Sequence, residues 1–155
     1  MKHVRVFTIL ACVVFVLGLA SSPVLAKHED KSRQSTEYPD STRKAPKLDL
    51  KSEKDQKHLQ EGLDAINKGD MATAQTTLQA LLDSSKSKYA QAMALRGLAL
   101  IKYHANDYKG AITLLQESLA NGVLSNDDYF AVEFTLAVAQ QADGQYQASL
   151  DTIQK

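Results

Sequence analysis

Cysteine is almost missing from this 155-residue chain, since Cys12 is its only one. Cys12 lies in an amino-terminal apolar run, so the remainder of the chain has no disulfide framework, thiol nucleophile or zinc–cysteine site. Proline stops early: Pro23, Pro39 and Pro46 are the only three, which leaves everything after Pro46 free for uninterrupted helices. Net charge is absent as well. With 18 basic and 18 acidic residues the chain lacks the strongly basic balance of a nucleic-acid footprint. Histidine is scarce: His3 lies in the amino-terminal segment, and His28, His58 and His104 show no metal-ligand spacing. No glycine-rich phosphate loop and no nucleophile motif occurs. A non-enzymatic protein without metal or cofactor is therefore expected.

Long apolar runs are missing too. The longest, Val6 to Ala20, has 15 residues, short of the roughly 20 that a membrane-spanning helix needs. Lys2 and Arg5 precede this run, and Ser21-Ser22-Pro23-Val24-Leu25-Ala26 closes it with small residues at Val24 and Ala26. This is the layout of a secretory signal peptide over residues 1–26, cut before Lys27. The alternative is an uncleaved anchor, the one route by which the chain would touch a membrane. Ile9-Leu10-Ala11-Cys12 has the look of a lipobox, but the apolar run continues past the cysteine from Val13 to Ala20. Removing Lys2 and Arg5 leaves 16 basic against 18 acidic residues, a net charge of minus 2.

Residues 27–51 carry dense charge of both signs and few large apolar side chains. Such a stretch buries too little surface to offset its ordering entropy, and a mobile tether is expected. Ser52-Glu53-Lys54-Asp55 is a helix-opening signature, a hydroxyl cap three residues ahead of an acid. Leu59, Leu63 and Ile66 follow at helical spacing and Lys68-Gly69 ends the run. A second stripe joins Met71, Ala74, Leu78, Leu81 and Leu82. The same alternation recurs: a helix from about Tyr89 to His104, a break at Asn106, a helix from Asp107 to Ala120 closed by Asn121-Gly122, a helix opened by Ser125-Asn126-Asp127-Asp128, and a last helix from about Gln145. No stretch alternates apolar and polar residues over a strand's length. The chain is expected to be all-α.

Three strings recur: Gly69-Asp70-Met71-Ala72-Thr73-Ala74, Asn106-Asp107-Tyr108-Lys109-Gly110-Ala111 and Gly144-Gln145-Tyr146-Gln147-Ala148-Ser149, with third positions 37 and 38 residues apart. A fixed period of this size marks stacked helix-turn-helix units. On these strings the chain resembles the tetratricopeptide repeat family, whose repeat pairs two antiparallel helices. The family's leucine and small residue in the first helix match Leu98-Ala99 and Leu136-Ala137, while the first repeat has Glu61-Gly62. The small residue of the second helix matches Ala74, Ala111 and Ser149, and the large apolar residue four further on matches Leu78, Leu115 and Ile153. The period exceeds the family's 34 residues, and Lys86 and Val123 stand where a proline often ends the repeat; longer loops are expected at Ser84 to Ser87 and Gly122 to Asp127.

The resemblance implies a short right-handed solenoid over residues 52–155, with repeats at about 53–84, 88–121 and 125–155, packed at Gly62, Ala74, Leu78, Ala99, Ala111, Leu115, Ala137 and Ser149. It implies a concave groove lined by Leu59, Leu63, Ile66 and Asn67, by Met93, Arg96, Leu100, Tyr103 and His104, and by Ala131, Phe134 and Val138. Leu63, Asn67, Arg96, Leu100, Tyr103, His104 and Phe134 are the candidate contacts. Arg96, Lys102 and His104 form a basic spot suited to an acid or free carboxylate on an otherwise apolar peptide. Small exported proteins similar to this one, with such repeats and a charged amino-terminal tail, occur in the periplasm of Gram-negative bacteria, some near TonB energy-transduction systems. The implied role is a periplasmic adaptor binding a peptide or helical segment of another envelope protein. The groove residues also have plainer readings, as core for Met93, Leu100 and Phe134, as a solvated face for Arg96 and Lys102, and as a helix-end residue that favours the local dipole for His104. Arrays of this kind end in a polar capping helix. No helix follows Leu150 and Ile153 in this sequence, so that edge is expected to be covered by a second copy in a homo-oligomer, by a partner, or by further chain, and self-assembly is the alternative function.

Overall fold

The computed structural model describes residues 42–154, and among them the regular structure is entirely helical: α1 (Glu53–Asn67), α2 (Met71–Ser84), α3 (Lys88–His104), α4 (Tyr108–Ala120), α5 (Asn126–Ala142) and α6 (Tyr146–Ile153). The expected signal peptide, its cleavage point and the tether from 27 to 41 lie outside the described residues. None of the six helices is long and apolar enough to cross a membrane.

Five of the six helices open on a capping side chain. Serines open the odd helices, where the hydroxyls of Ser52, Ser87 and Ser125 accept from the amides of Asp55, Ala90 and Asp128. Aspartates open α2 and α4, where Asp70 and Asp107 accept from the amides of Thr73 and Gly110. Helix α6 differs: Gln145 makes no side-chain cap bond. A missing cap costs a helix about 1 kcal/mol, and α6 is the shortest of the six.

The turn inside each helix pair is the same object three times. Gly69, Asn106 and Gly144 have φ of 77°, 61° and 79°, the left-handed region that only glycine and, less readily, asparagine tolerate. Their amides donate to Ile66, Tyr103 and Gln141, and the next amides, of Asp70, Asp107 and Gln145, donate to Ala65, Lys102 and Gln140 at 2.9, 2.9 and 2.8 Å. This pair of bonds satisfies the last carbonyls of the preceding helix and reverses the chain. The link from α2 to α3 is shorter than the sequence predicts, only residues 85–87, because Ser84 still belongs to α2.

Every helix packs on the next, and α1 also packs on α3. The core centres on Leu78 and Leu115, both fully buried. Leu78 sits between two glycines: a Cβ on Gly62 of α1 or on Gly97 of α3 would lie 2.5 Å from its side chain. Those glycines let three helices close around one leucine. Ala74, Ala99, Ala111, Ala137 and Ser149 are all buried, and Ser149 donates to the Ala137 carbonyl at 2.8 Å, joining α6 to α5. Ser118 does the same from α4 to the Ala92 carbonyl of α3.

The charged stretch before α1 is not free of the helices. Residues 42–51 have no regular structure, yet Asp49 accepts from Ser87 Oγ at 2.8 Å and from the amides of Lys88 and Tyr89 at 2.9 and 3.1 Å. Leu50 packs against the core. A mobile tether is expected through residue 51; of that stretch, positions 43–50 form a strap held at Asp49 and Leu50.

Candidate functional site

The faces of α1, α3 and α5 hold the candidate groove residues. Leu59 and Met93 are buried and belong to the core. Leu63, Ile66, Leu100, Tyr103, Ala131 and Val138 are half-buried, whereas Asn67 and His104 are exposed. Ile66 packs between α1 and α3, its Cδ1 3.5 Å from the point a Cβ on Gly97 would occupy. Phe134 is the outlier at 65% exposed. Leu59, Arg96 and Phe134 share one register, 37 and 38 residues apart like the turns. Along that register the chain presents a buried leucine, then a half-buried arginine, then a phenylalanine open to solvent.

Two of the three residues of the basic spot have acidic neighbours within the molecule. Arg96 Nη1 lies 3.9 Å from Asp128 Oδ1 across the α3–α5 boundary. The other carboxylate oxygen of Asp128 accepts from Tyr89 at 2.8 Å and from Ser125 at 2.6 Å. Asp128, read from sequence as a cap, is thus a bridge between two repeats. Lys102 Nζ is 2.9 Å from Asp107 Oδ2, and hydrogen bonds from Lys102 and from the Gly110 amide hold the Asp107 carboxyl below its usual range. Among the described residues no carboxylate pairs with His104, which meets the Tyr103 ring edge-on at 6.1 Å between centroids. Tyr103 also leans on Tyr108 at 5.4 Å. This candidate face carries aromatic and apolar side chains beside two ion-paired cations.

The far end carries a second exposed surface. Tyr146, Leu150 and Ile153 recur at i, i+4 and i+7 on α6 and are 67%, 52% and 63% exposed. Ile153 is in register with Leu78 and Leu115, which are fully buried. Helix α1 presents the opposite chemistry. Glu53, Lys57, Gln60 and Glu61 are exposed, and they are in register with Ala90, Ala94, Gly97 and Leu98 of α3, all buried.

A third surface escaped the sequence reading. Arg43 Nη1 donates to the Leu124 carbonyl and to Asn126 Oδ1, both at 2.9 Å, and the Asn126 amide donates back to the Arg43 carbonyl at 3.0 Å. The guanidinium carbon stands 4.4 Å from the Tyr129 ring centroid. Burial raises the Tyr129 pKa, as does its hydrogen bond to Glu133, while Arg43 pulls the other way. The only cue in the sequence is Leu48-Asp49-Leu50, an acid between two leucines in an otherwise polar stretch.

Among the described residues no three His, Cys, Asp or Glu side chains are grouped to hold a metal ion. Two open hollows, of about 290 and 300 Å³, lie at the ends of the first helix pair, by Ser52, Asp55 and Lys86 and by Asp64, Lys68 and Thr77. Comparison with protein-family models, with curated proteins and with solved structures gives no match.

Proposed function

We propose that this chain is a tetratricopeptide-like adaptor without enzymatic activity, exported to the periplasm after cleavage before Lys27, that holds a peptide or helical segment of another envelope protein along α1, α3 and α5. The observation that supports it is Phe134, an aromatic side chain 65% exposed on the face that also carries half-buried Leu63, Leu100 and Tyr103. Aromatic residues at the centre of a contact supply most of its binding energy. Since Arg96 and Lys102 are already paired with Asp128 and Asp107, the ligand feature that fits is an apolar anchor rather than a carboxylate. The test is affinity capture from an envelope fraction with the full chain, with Phe134→Ala and Tyr103→Ala, and with Gln79→Ala on exposed α2 as control. A partner lost only with the first two supports the groove, and identical partners in all four sink it. Amino-terminal sequencing of the periplasmic protein tests export, with Lys27 expected as the first residue.

The α6 stripe favours a second reading, self-association. Tyr146, Leu150 and Ile153 expose on the order of 400 Å² of largely apolar surface, the size of patch that is often functional on a monomer. Head-to-tail stacking of copies would set this stripe against the charged face of α1, so the favoured mode pairs two α6 faces about a two-fold axis. Sedimentation equilibrium of wild type and Ile153→Ser checks it: a concentration-dependent dimer weakened by the substitution is expected, and a strict monomer removes the reading.

A further inference from the structure

The strap before α1 lies across the starts of the odd helices in reverse order: Arg43 at the start of α5, Asp49 at the start of α3, and Ser52 capping α1. Its contacts have the form of a ligand in a built site. Asn126, itself 7% exposed, reads both the Arg43 guanidinium and the Arg43 carbonyl, a two-way bond that recognises extended backbone together with the side chain. Tyr129 supplies a face for the cation. Six residues on, Asp49 takes three donors at the start of α3, and Leu50 follows it onto the core. None of this depends on the groove.

We infer that the edge formed by Ser87, Leu124, Asn126 and Tyr129 is a binding site for an extended segment bearing an arginine and, six residues later, an aspartate followed by leucine, and that the chain's own residues 43–50 hold it closed. A partner segment with that chemistry displaces the strap. The strap is joined directly to α1, so its local concentration at the site is on the order of millimolar. Displacement therefore requires a partner that is abundant, or tethered nearby, or better fitted.

The probe is a fluorescent peptide of this chain's residues 42–51, titrated into the full-length protein and into a full-length Arg43→Ala, Asp49→Ala, Leu50→Ser variant. Hydrogen exchange at the Lys88 and Tyr89 amides reports strap release. The variant should exchange these amides faster while keeping its helix content, and it should bind the peptide about 10- to 100-fold more tightly than wild type does, the ratio of a millimolar local concentration to a segment Kd of about 10–100 μM. Adding Asn126→Ala to the variant should abolish the binding without loss of helix. The inference is overturned if the amides stay protected in the variant, if the released variant does not bind the peptide, or if wild type binds it equally well.

Discussion

Replacing Gly62 by alanine offers a direct test of how the first two repeats are joined. In an exposed helix the change would add stability of about 0.5–1 kcal/mol, because glycine loses more backbone entropy than alanine on folding. Here the added Cβ falls 2.5 Å from Leu78 Cδ2 and 2.6 Å from its Cγ. Leu78 has little room to swing away, because its Cδ1 already fills the space beside Gly97 of α3, where a Cβ would lie only 2.5 Å from it. Overpacking of a closed core costs about 1–3 kcal/mol, so the net effect should be destabilising. Leu78→Ala alone should cost about 3–5 kcal/mol, toward the upper part of the range for a buried leucine, since glycine neighbours have no side chains to relax into the cavity. The two together should do better than the leucine change alone, because the new methyl group occupies part of the space vacated and no longer clashes. The coupling should be about 2–3 kcal/mol in a double-mutant cycle. Urea unfolding followed by helix ellipticity gives all four values. If Gly62→Ala stabilises the wild type, or if the two changes simply add, the wedge is not what sets the spacing of α1, α2 and α3.

Three further outcomes follow from caps and charges. Burial raises the Asp49 carboxyl pKa, but hydrogen bonds from Ser87, Tyr89 and Lys88 more than offset this, and it titrates below its ordinary 3.8; strap anchoring is therefore fully present above pH 3.8 and lost as pH falls through the lower folded value, which exchange at the Lys88 and Tyr89 amides across an acid series should show. Gln145→Asp gives α6 the cap that Asp70 and Asp107 provide elsewhere; unfolding should shift upward by about 0.5–1 kcal/mol, and an unchanged midpoint would count against the missing cap as a weakness of α6. Lys102→Ala removes the first cause of the depressed Asp107 pKa, so the carboxyl resonance of Asp107 should titrate at higher pH than in wild type.

Local chemistry is what the sequence displays well. Gly69, Asn106 and Gly144 mark their turns because the left-handed conformation admits few residue types, and Ser52, Asp70 and Ser125 mark helix starts because their oxygens bond three residues ahead. The helical class and the apolar stripes through Leu78 and Leu115 follow from spacing within one turn or two. What stays hidden is chemistry between distant positions. Arg43 meets Asn126 across 83 residues, and no periodicity announces it. The pairing of Arg96 with Asp128 is equally invisible, since each residue has a sufficient local account, as a solvated cation or as a cap. Gly97 was missed for a different reason: its neighbours Leu98 and Ala99 already match the repeat pattern, while the contact that needs a glycine comes from Leu78 in the preceding helix.

The strap also decides how the molecule bears load. Among the described residues, tension applied from the amino-terminal side reaches Arg43 first, then Asp49, and only afterwards the first turn of α1. Because the strap crosses the helix starts in sequence, its anchors would break one at a time rather than together in shear. The strap thus behaves as a slack reserve: under a pull it pays out several residues of chain while the helix pairs remain intact. A protein hung by this end would lengthen before it unfolded.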